Sequence, residues 1–295
     1  MLRWSARPRL RRPIMLCAFE GWNDAGDAAS FATRYLGERW GTRPFADVDP
    51  EEHFDFTSTR PRVQLVDGHQ REIVWPTVEF SAGSIPGTDR DVILVEGSEP
   101  QLRWRAFCDQ VVEVATTYQV ELVVTLGALL AEVPHSRPVS VIGTAVDDDL
   151  ITRLGLARSS YEGPTGIVGV LHDALSRNGL PTASLWAAVP GYASQLSSPR
   201  AAMALVERSC SMMGTPPPVS RLADAVADYD ARVAALISDD DDLVTYVARL
   251  EEMVDEMADD DDDEYDDDLD DLAEQDPELL AAEVEQFLRD RNGES

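Results

Sequence analysis

Residues 91–127 read DVILVEGSEPQLRWRAFCDQVVEVATTYQVELVVTLG, and their pattern decides the fold. Asp91 to Val95 and Leu122 to Leu126 are short, continuously apolar runs that end at glycine, the signature of strands buried on both faces. Between them Phe107, Val111, Val114 and Ala115 recur at helical spacing within Trp104 to Tyr118. Strand, helix, strand is a βαβ unit.

The same alternation continues on both sides. Upstream, Ile14 to Phe19 is an apolar run followed by a polar loop, Glu20 to Gly26, and a helical stretch from Asp27 to about Trp40. Downstream come a strand at Val139 to Thr144, a helix at Ile167 to Asn178 closed by Gly179, a strand at Ala183 to Ala188 and a helix at Pro199 to Met213. Such alternation predicts an α/β three-layer sandwich with ligands at the carboxyl ends of the strands. Arg62 to Val66 and Glu72 to Trp75 flank Asp67-Gly68, a dipeptide suited to positive φ, so residues 62–75 read as an inserted β-hairpin. Thr215-Pro216-Pro217-Pro218 then punctuates the chain. This sets a core domain at 1–215 and a C-terminal helical segment at 216–295, with helices at Ser220 to Ile237, Asp242 to Met257 and Pro277 to Arg291. Between the last two lies 258–271, nearly all aspartate, too poor in apolar surface to order itself and read as a disordered acidic linker.

Composition narrows the chemistry. Of 295 residues, 25 are basic and 55 acidic, for a net charge of -30, and every basic residue is arginine. The absence of lysine excludes Schiff-base catalysis and the lysine grip on nucleotide phosphates used by P-loop enzymes and protein kinases. From Asp239 onward there are 26 acids and 3 arginines, so most of the charge sits in the tail. Such a chain repels phosphate backbones, and neither nucleic acid nor a membrane is an expected partner. Cys17, Cys108 and Cys210 are widely spaced among apolar neighbours and read as buried thiols in a reducing compartment. The arginine-rich start lacks the apolar region of a signal peptide, and no stretch reaches membrane-spanning length, so a cytoplasmic location is expected.

The candidate site gathers at loop positions. Asn23, Asp24, Gly26 and Asp27 follow the first strand, where they either line a ligand pocket or merely cap the next helix. Gly163, Thr165 and Gly166 precede a helix whose first amides can cradle an anion; the alternative is a turn that needs glycine only for close packing. His135 and Arg137 follow a central strand and suit polarising a carbonyl or holding a carboxylate, against a structural role within their loop. His53, His69 and His172 lack zinc-ligand spacing, so no metal is expected. There is no G-x-S-x-G elbow and no triad signature. The aspartate run lacks the glycine and terminal glutamate of a calcium loop, and no cofactor is implied.

Five blocks in order, FEGWNDAGDAAS at 19–30, VEGSEPQLRW at 95–104, LGALLAEVPHSRP at 126–138, YEGPTGIVGVLHDAL at 161–175 and SLWAAVPGY at 184–192, resemble the proteasome assembly chaperone family, second-subunit type, in its actinobacterial branch. The resemblance runs from about Ile14 to Met213. It implies a phosphorylase/hydrolase-like α/β core, a homo-oligomer with a trimer favoured, and C-terminal helices covering a pocket. Eukaryotic members of the family assemble proteasome α-rings. Gly191 stands where the family pattern leads one to expect histidine, which weakens a catalytic role for that loop. The implied function is a non-enzymatic interaction or assembly protein, with itself and proteasome subunits as partners. The alternative is a small-molecule binder or enzyme using a pocket of Asn23, Asp24, Glu96, His135, Arg137 and the Gly163 to Gly166 loop. An ATP-grasp ligase is disfavoured, since that fold normally holds phosphates with lysine.

Overall fold

The computed structural model of the chain describes residues 1–260, with side chains through Met257. Its first half contains β1 (Leu2–Trp4), β2 (Ile14–Glu20), α1 (Ala28–Trp40), β3 (Arg43–Val48), the single turn α2 (Pro50–His53), the hairpin strands β4 (Arg62–Val66) and β5 (Gln70–Val74), and β6 (Val78–Ser84). Then follow β7 (Asp91–Ser98), α3 (Trp104–Thr117), β8 (Leu122–Ala131), β9 (Val141–Ala145), α4 (Asp148–Leu154), α5 (Ile167–Arg177), β10 (Thr182–Pro190), α6 (Pro199–Met213), α7 (Leu222–Ser238) and α8 (Asp241–Asp260).

Eight strands form one sheet in the order β1-β3-β6-β7-β2-β8-β10-β9, while β4 and β5 pair only with each other. The four middle strands are parallel, with Met15 opposite Ile93 and Leu16 opposite Val124. Antiparallel strands extend the sheet at both sides. Because successive strand residues point to opposite faces, the continuous apolar runs feed two cores at once. Leu16, Leu94, Val124 and Leu185 meet Ala32 and Leu36 of α1 and Ala202 and Leu205 of α6 on one face. Met15, Ile93, Val95 and Val123 meet Phe107 and Val111 of α3 and Leu171 and Leu175 of α5 on the other. Each such buried Leu, Ile, Val, Met or Phe side chain contributes about 1.5–3 kcal/mol. This is the α/β sandwich that the alternation predicts.

Several elements depart from expectation. The strand expected at Leu122 to Leu126 continues through Ala131, so GALLA is strand rather than loop. The parallel pairing with β10 extends to Ala131 opposite Pro190 and holds it extended. Strands β1, β3 and β6 and helix α4 carry no continuous apolar signal, because each presents one half-wet face. Helix α8 runs to Asp260, three residues into the expected linker; the remainder of 258–271 and the helix expected at 277–291 lie outside the described residues. Cys17, Cys108 and Cys210 are free and buried, and burial pushes the Cys108 and Cys210 thiols up to about 12. Among the described residues, no helix is long and apolar enough to cross a membrane.

The β6–β7 junction leaves no room for a side chain at Gly97. At Gly97, φ is +153°, and an added Cβ would stand 2.0 Å from the Thr77 carbonyl oxygen. Gly97→Ala is therefore expected to cost about 2–4 kcal/mol, read as a lowered urea midpoint. An unchanged midpoint would refute that packing.

Candidate functional site

The loop leaving β2 spends its polar groups on backbone. Asn23 is buried, and its Oδ1 accepts the Val168 N–H at 3.3 Å, while its carbonyl accepts the Ala128 N–H at 2.9 Å. Its amide lies so close to Gly166 that a Cβ there would come within 2.2 Å of Oδ1. Beside it the Glu99 carboxylate accepts the Ile167 N–H at 2.9 Å. The first amides of α5, which the sequence presents as an anion cradle, are thus capped from within.

Asp24 does the same for α1. Its Oδ1 accepts from the Ala29 and Ser30 amides at 2.7 and 3.2 Å, whereas Oδ2 makes no hydrogen bond within the described residues. With 6% exposure, desolvation raises its pKa above the ordinary carboxylate value despite those bonds. Asp27 is exposed with φ +53° and accepts from the Ser197 hydroxyl at 2.6 Å. The Gly26 carbonyl accepts from Ser198 N–H at 2.7 Å, and with φ +58° a Cβ at Gly26 would lie 2.9 Å from Ser198 Cβ. The structure therefore brings Asn23 to Gly166, and joins Gly26 and Asp27 to the loop before α6.

The other expected residues sit in different company. Glu96 lies on β7 directly opposite Glu79 of β6, and desolvation raises the pKa of both. The His135 backbone N–H donates to the Tyr192 hydroxyl at 2.7 Å, and its Nδ1 lies 2.9 Å from the same oxygen. Burial lowers the His135 pKa and raises that of Tyr192, which favours neutral forms of both. Tyr192 stands edge-on to Tyr246 of α8 at 6.3 Å. Arg137 makes a two-pronged pair with Asp255 of α8, 2.7 Å from Nε and 2.6 Å from Nη2. Its guanidinium thereby clamps α8. Gly163 and Thr165 are exposed, in a turn where the Tyr161 hydroxyl donates to the Pro164 carbonyl at 2.7 Å.

One cleft near these loops escaped sequence reasoning. About 260 Å³ opens between Phe31 of α1, Ser198 and Pro199 at the start of α6, and Tyr229 and Arg232 of α7. Tyr229 is 2% exposed, and its hydroxyl lies against Ser198 without a hydrogen bond of ordinary geometry. In sequence Tyr229 falls within the helical stripe Leu222, Val226, Tyr229, Val233 and reads simply as core. Among the described residues, no cluster of three or more His, Cys, Asp or Glu is placed to hold a metal ion.

A family model described as PAC2 family matches residues 18–237. A PAC2 family protein from Streptomyces avermitilis is 44% identical, with a TM-score of 0.74 over 80% of this chain and 99% of that one. A proteasome-assembly chaperone homologue from Mycobacterium tuberculosis is 41% identical, with a TM-score of 0.72 over 79% of this chain and 99% of that one. A Pyrococcus furiosus archaeal proteasome activator shares the fold at 16% identity and a TM-score of 0.66, over 80% of this chain and 98% of that one. Among curated proteins there is no match.

The capping account predicts an unusual pH response. A carboxyl whose folded pKa is raised contributes stability at low pH that is lost as pH rises through that folded value. Asp24→Asn retains Oδ1 as acceptor and removes the unpartnered ionised oxygen. Its melting temperature at pH 7 is expected to equal or exceed that of the parent, and the advantage to shrink as pH falls toward 4. A variant less stable than the parent at neutral pH would contradict this, whereas Asp24→Ala should lose about 1 kcal/mol.

Proposed function

The chain belongs to the PAC2 family, and on that premise we propose that it is a non-enzymatic, homo-oligomeric interaction protein whose partners are proteasome components. The observation that carries the non-enzymatic part is the internal use of the polar groups where an α/β fold ordinarily binds substrate. Asn23 and Glu99 cap α5, Asp24 caps α1, and Arg137 is tied to Asp255. Of these groups only Asp24 keeps an oxygen, Oδ2, that the described residues leave without a hydrogen bond. Proteasome partnership is supported by the Mycobacterium tuberculosis homologue at 41% identity. In this reading the protein is a cytoplasmic trimer of the actinobacterial kind, with surfaces rather than a pocket as its working parts, and its acidic tail discourages nucleic acid.

A second reading, ligand binding, is favoured by one observation. The cleft beneath α7 contains the buried, unpaired Tyr229 hydroxyl, and such a group costs stability unless something satisfies it.

Native mass spectrometry of the protein mixed with purified proteasome α-subunits separates the two. Interaction predicts a complex at micromolar concentration that persists in Tyr229→Phe. Absence of a complex, together with a thermal shift from a small molecule that Tyr229→Phe abolishes, would replace the interaction reading with ligand binding.

A further inference from the structure

Helix α7 turns a charged stripe toward the cleft. Ala225, Asp228, Tyr229 and Arg232 recur at the i, i+3, i+4, i+7 spacing of one helix face, and all four line the space together with Phe31 of α1 and Pro199 of α6. An acid one turn before a base is the favourable order for an ion pair. Among the described residues neither Asp228 nor Arg232 makes one, although Asp230 beside them holds Arg200. Both are exposed, and next to them the buried Tyr229 hydroxyl makes no hydrogen bond. The serines of the cleft are by contrast committed: Ser197 donates to Asp27 at 2.6 Å, and Ser198 Oγ accepts the Ala201 N–H at 3.3 Å. Phe31 lies nearly parallel to Tyr35, with centroids 6.2 Å apart, and keeps 36% exposure, so an aromatic surface remains open at the cleft.

From this arrangement, and resting on the ligand-binding reading of the cleft above, we propose that the cleft binds a free α-amino acid with an apolar side chain: its carboxylate on Arg232 and the Tyr229 hydroxyl, its ammonium on Asp228, its side chain on Phe31 and Pro199. Charge chooses the zwitterion. A carboxylate and a guanidinium that line one cleft without pairing each lack a counter-ion, and a ligand with a single charge would satisfy one and be repelled by the other. The planar fork of Arg232 suits a carboxylate, and the start of α6 at the cleft adds partial positive charge in its favour. A neutral zwitterion also approaches a protein of net charge -30 without the repulsion that an anion meets. Size agrees, since 260 Å³ falls short of the roughly 300–1,000 Å³ that drug-sized ligands occupy. Either end of a peptide presents only one of the two charges, which sets a free amino acid apart from a chain terminus.

Calorimetric titration and thermal shift on the full chain, with L-leucine and L-phenylalanine as probes, test this. Both are expected to bind the parent at millimolar concentration or below and to raise its melting temperature. Leucinamide lacks the carboxylate and N-acetyl-leucine the ammonium, and each is expected to bind at least about tenfold more weakly than leucine. Arg232→Gln and Asp228→Asn alter exposed side chains, so the melting temperature without ligand should stay at the parental value while leucine binding falls by a similar factor. Tyr229→Phe should weaken leucine binding as well. Equal affinity of leucine for the parent and Arg232→Gln, or of leucinamide and leucine for the parent, overturns the amino-acid assignment, as does the absence of binding by both probes. In any of these cases a thermal shift from another small molecule that Tyr229→Phe abolishes leaves the ligand-binding reading standing with a different ligand, and no shift from any small molecule overturns that reading too.

Discussion

Two adjacent side chains at the end of β2 fix the helices on opposite faces of the sheet. Asn23 reaches the first turn of α5 and Asp24 the first turn of α1, with one peptide bond between them. The same backbone bonds to Ala128 of β8, so the loop is anchored to the sheet as well. Gly166 follows from this arrangement, since a side chain there would occupy the volume of the Asn23 amide. Farther along, Gly26 seats the loop before α6, and Arg200 of α6 holds Asp230 of α7 with Nε 3.0 Å from Oδ1. The C-terminal helices thus inherit their position from the β2 loop. Arg137 and Asp255 add a separate hold on α8.

That arrangement explains why the candidate site was only partly legible. Sequence places Asn23, Asp24 and the glycines before α5 at the carboxyl ends of strands, and the structure puts Asn23 and Gly166 in contact. Sequence does not reveal whether such groups face a ligand or a helix amide, because the chemistry of capping and of anion binding is the same. The deciding residue, Glu99, lies 68 positions before the amide it caps. His135 and Arg137 were legible as loop residues near a strand end, but their partners Tyr192 and Asp255 are set by how β10 and α8 pack.

The fold was legible where burial is two-sided. β2, β7, β8 and β10 are continuous apolar runs because helices cover both of their faces, and the helices between them show their stripes clearly. The edge strands were hidden for a physical reason. In β3, Arg43 and Pro44 are exposed and a register shift interrupts its pairing with β6 between Pro44 and Ala46, so no regular alternation survives. In β6, Glu79 and Ser81 share a face that α1 covers only partly, and that face breaks the apolar pattern. The hairpin was legible from Asp67-Gly68 and the runs flanking it, since that turn is local chemistry.

These caps make the carboxyl edge of the sheet a structural joint between β2, α1 and α5. Hydrogen exchange on an Asn23→Ala/Asp24→Ala variant tests that claim most directly. The account predicts exchange faster by about tenfold at the amides of Ala29, Ser30 and Val168, corresponding to a cap of about 1.4 kcal/mol at each helix, with the sheet core unchanged. Unchanged protection at those amides would mean that the two side chains are not holding the helices and are free for another role.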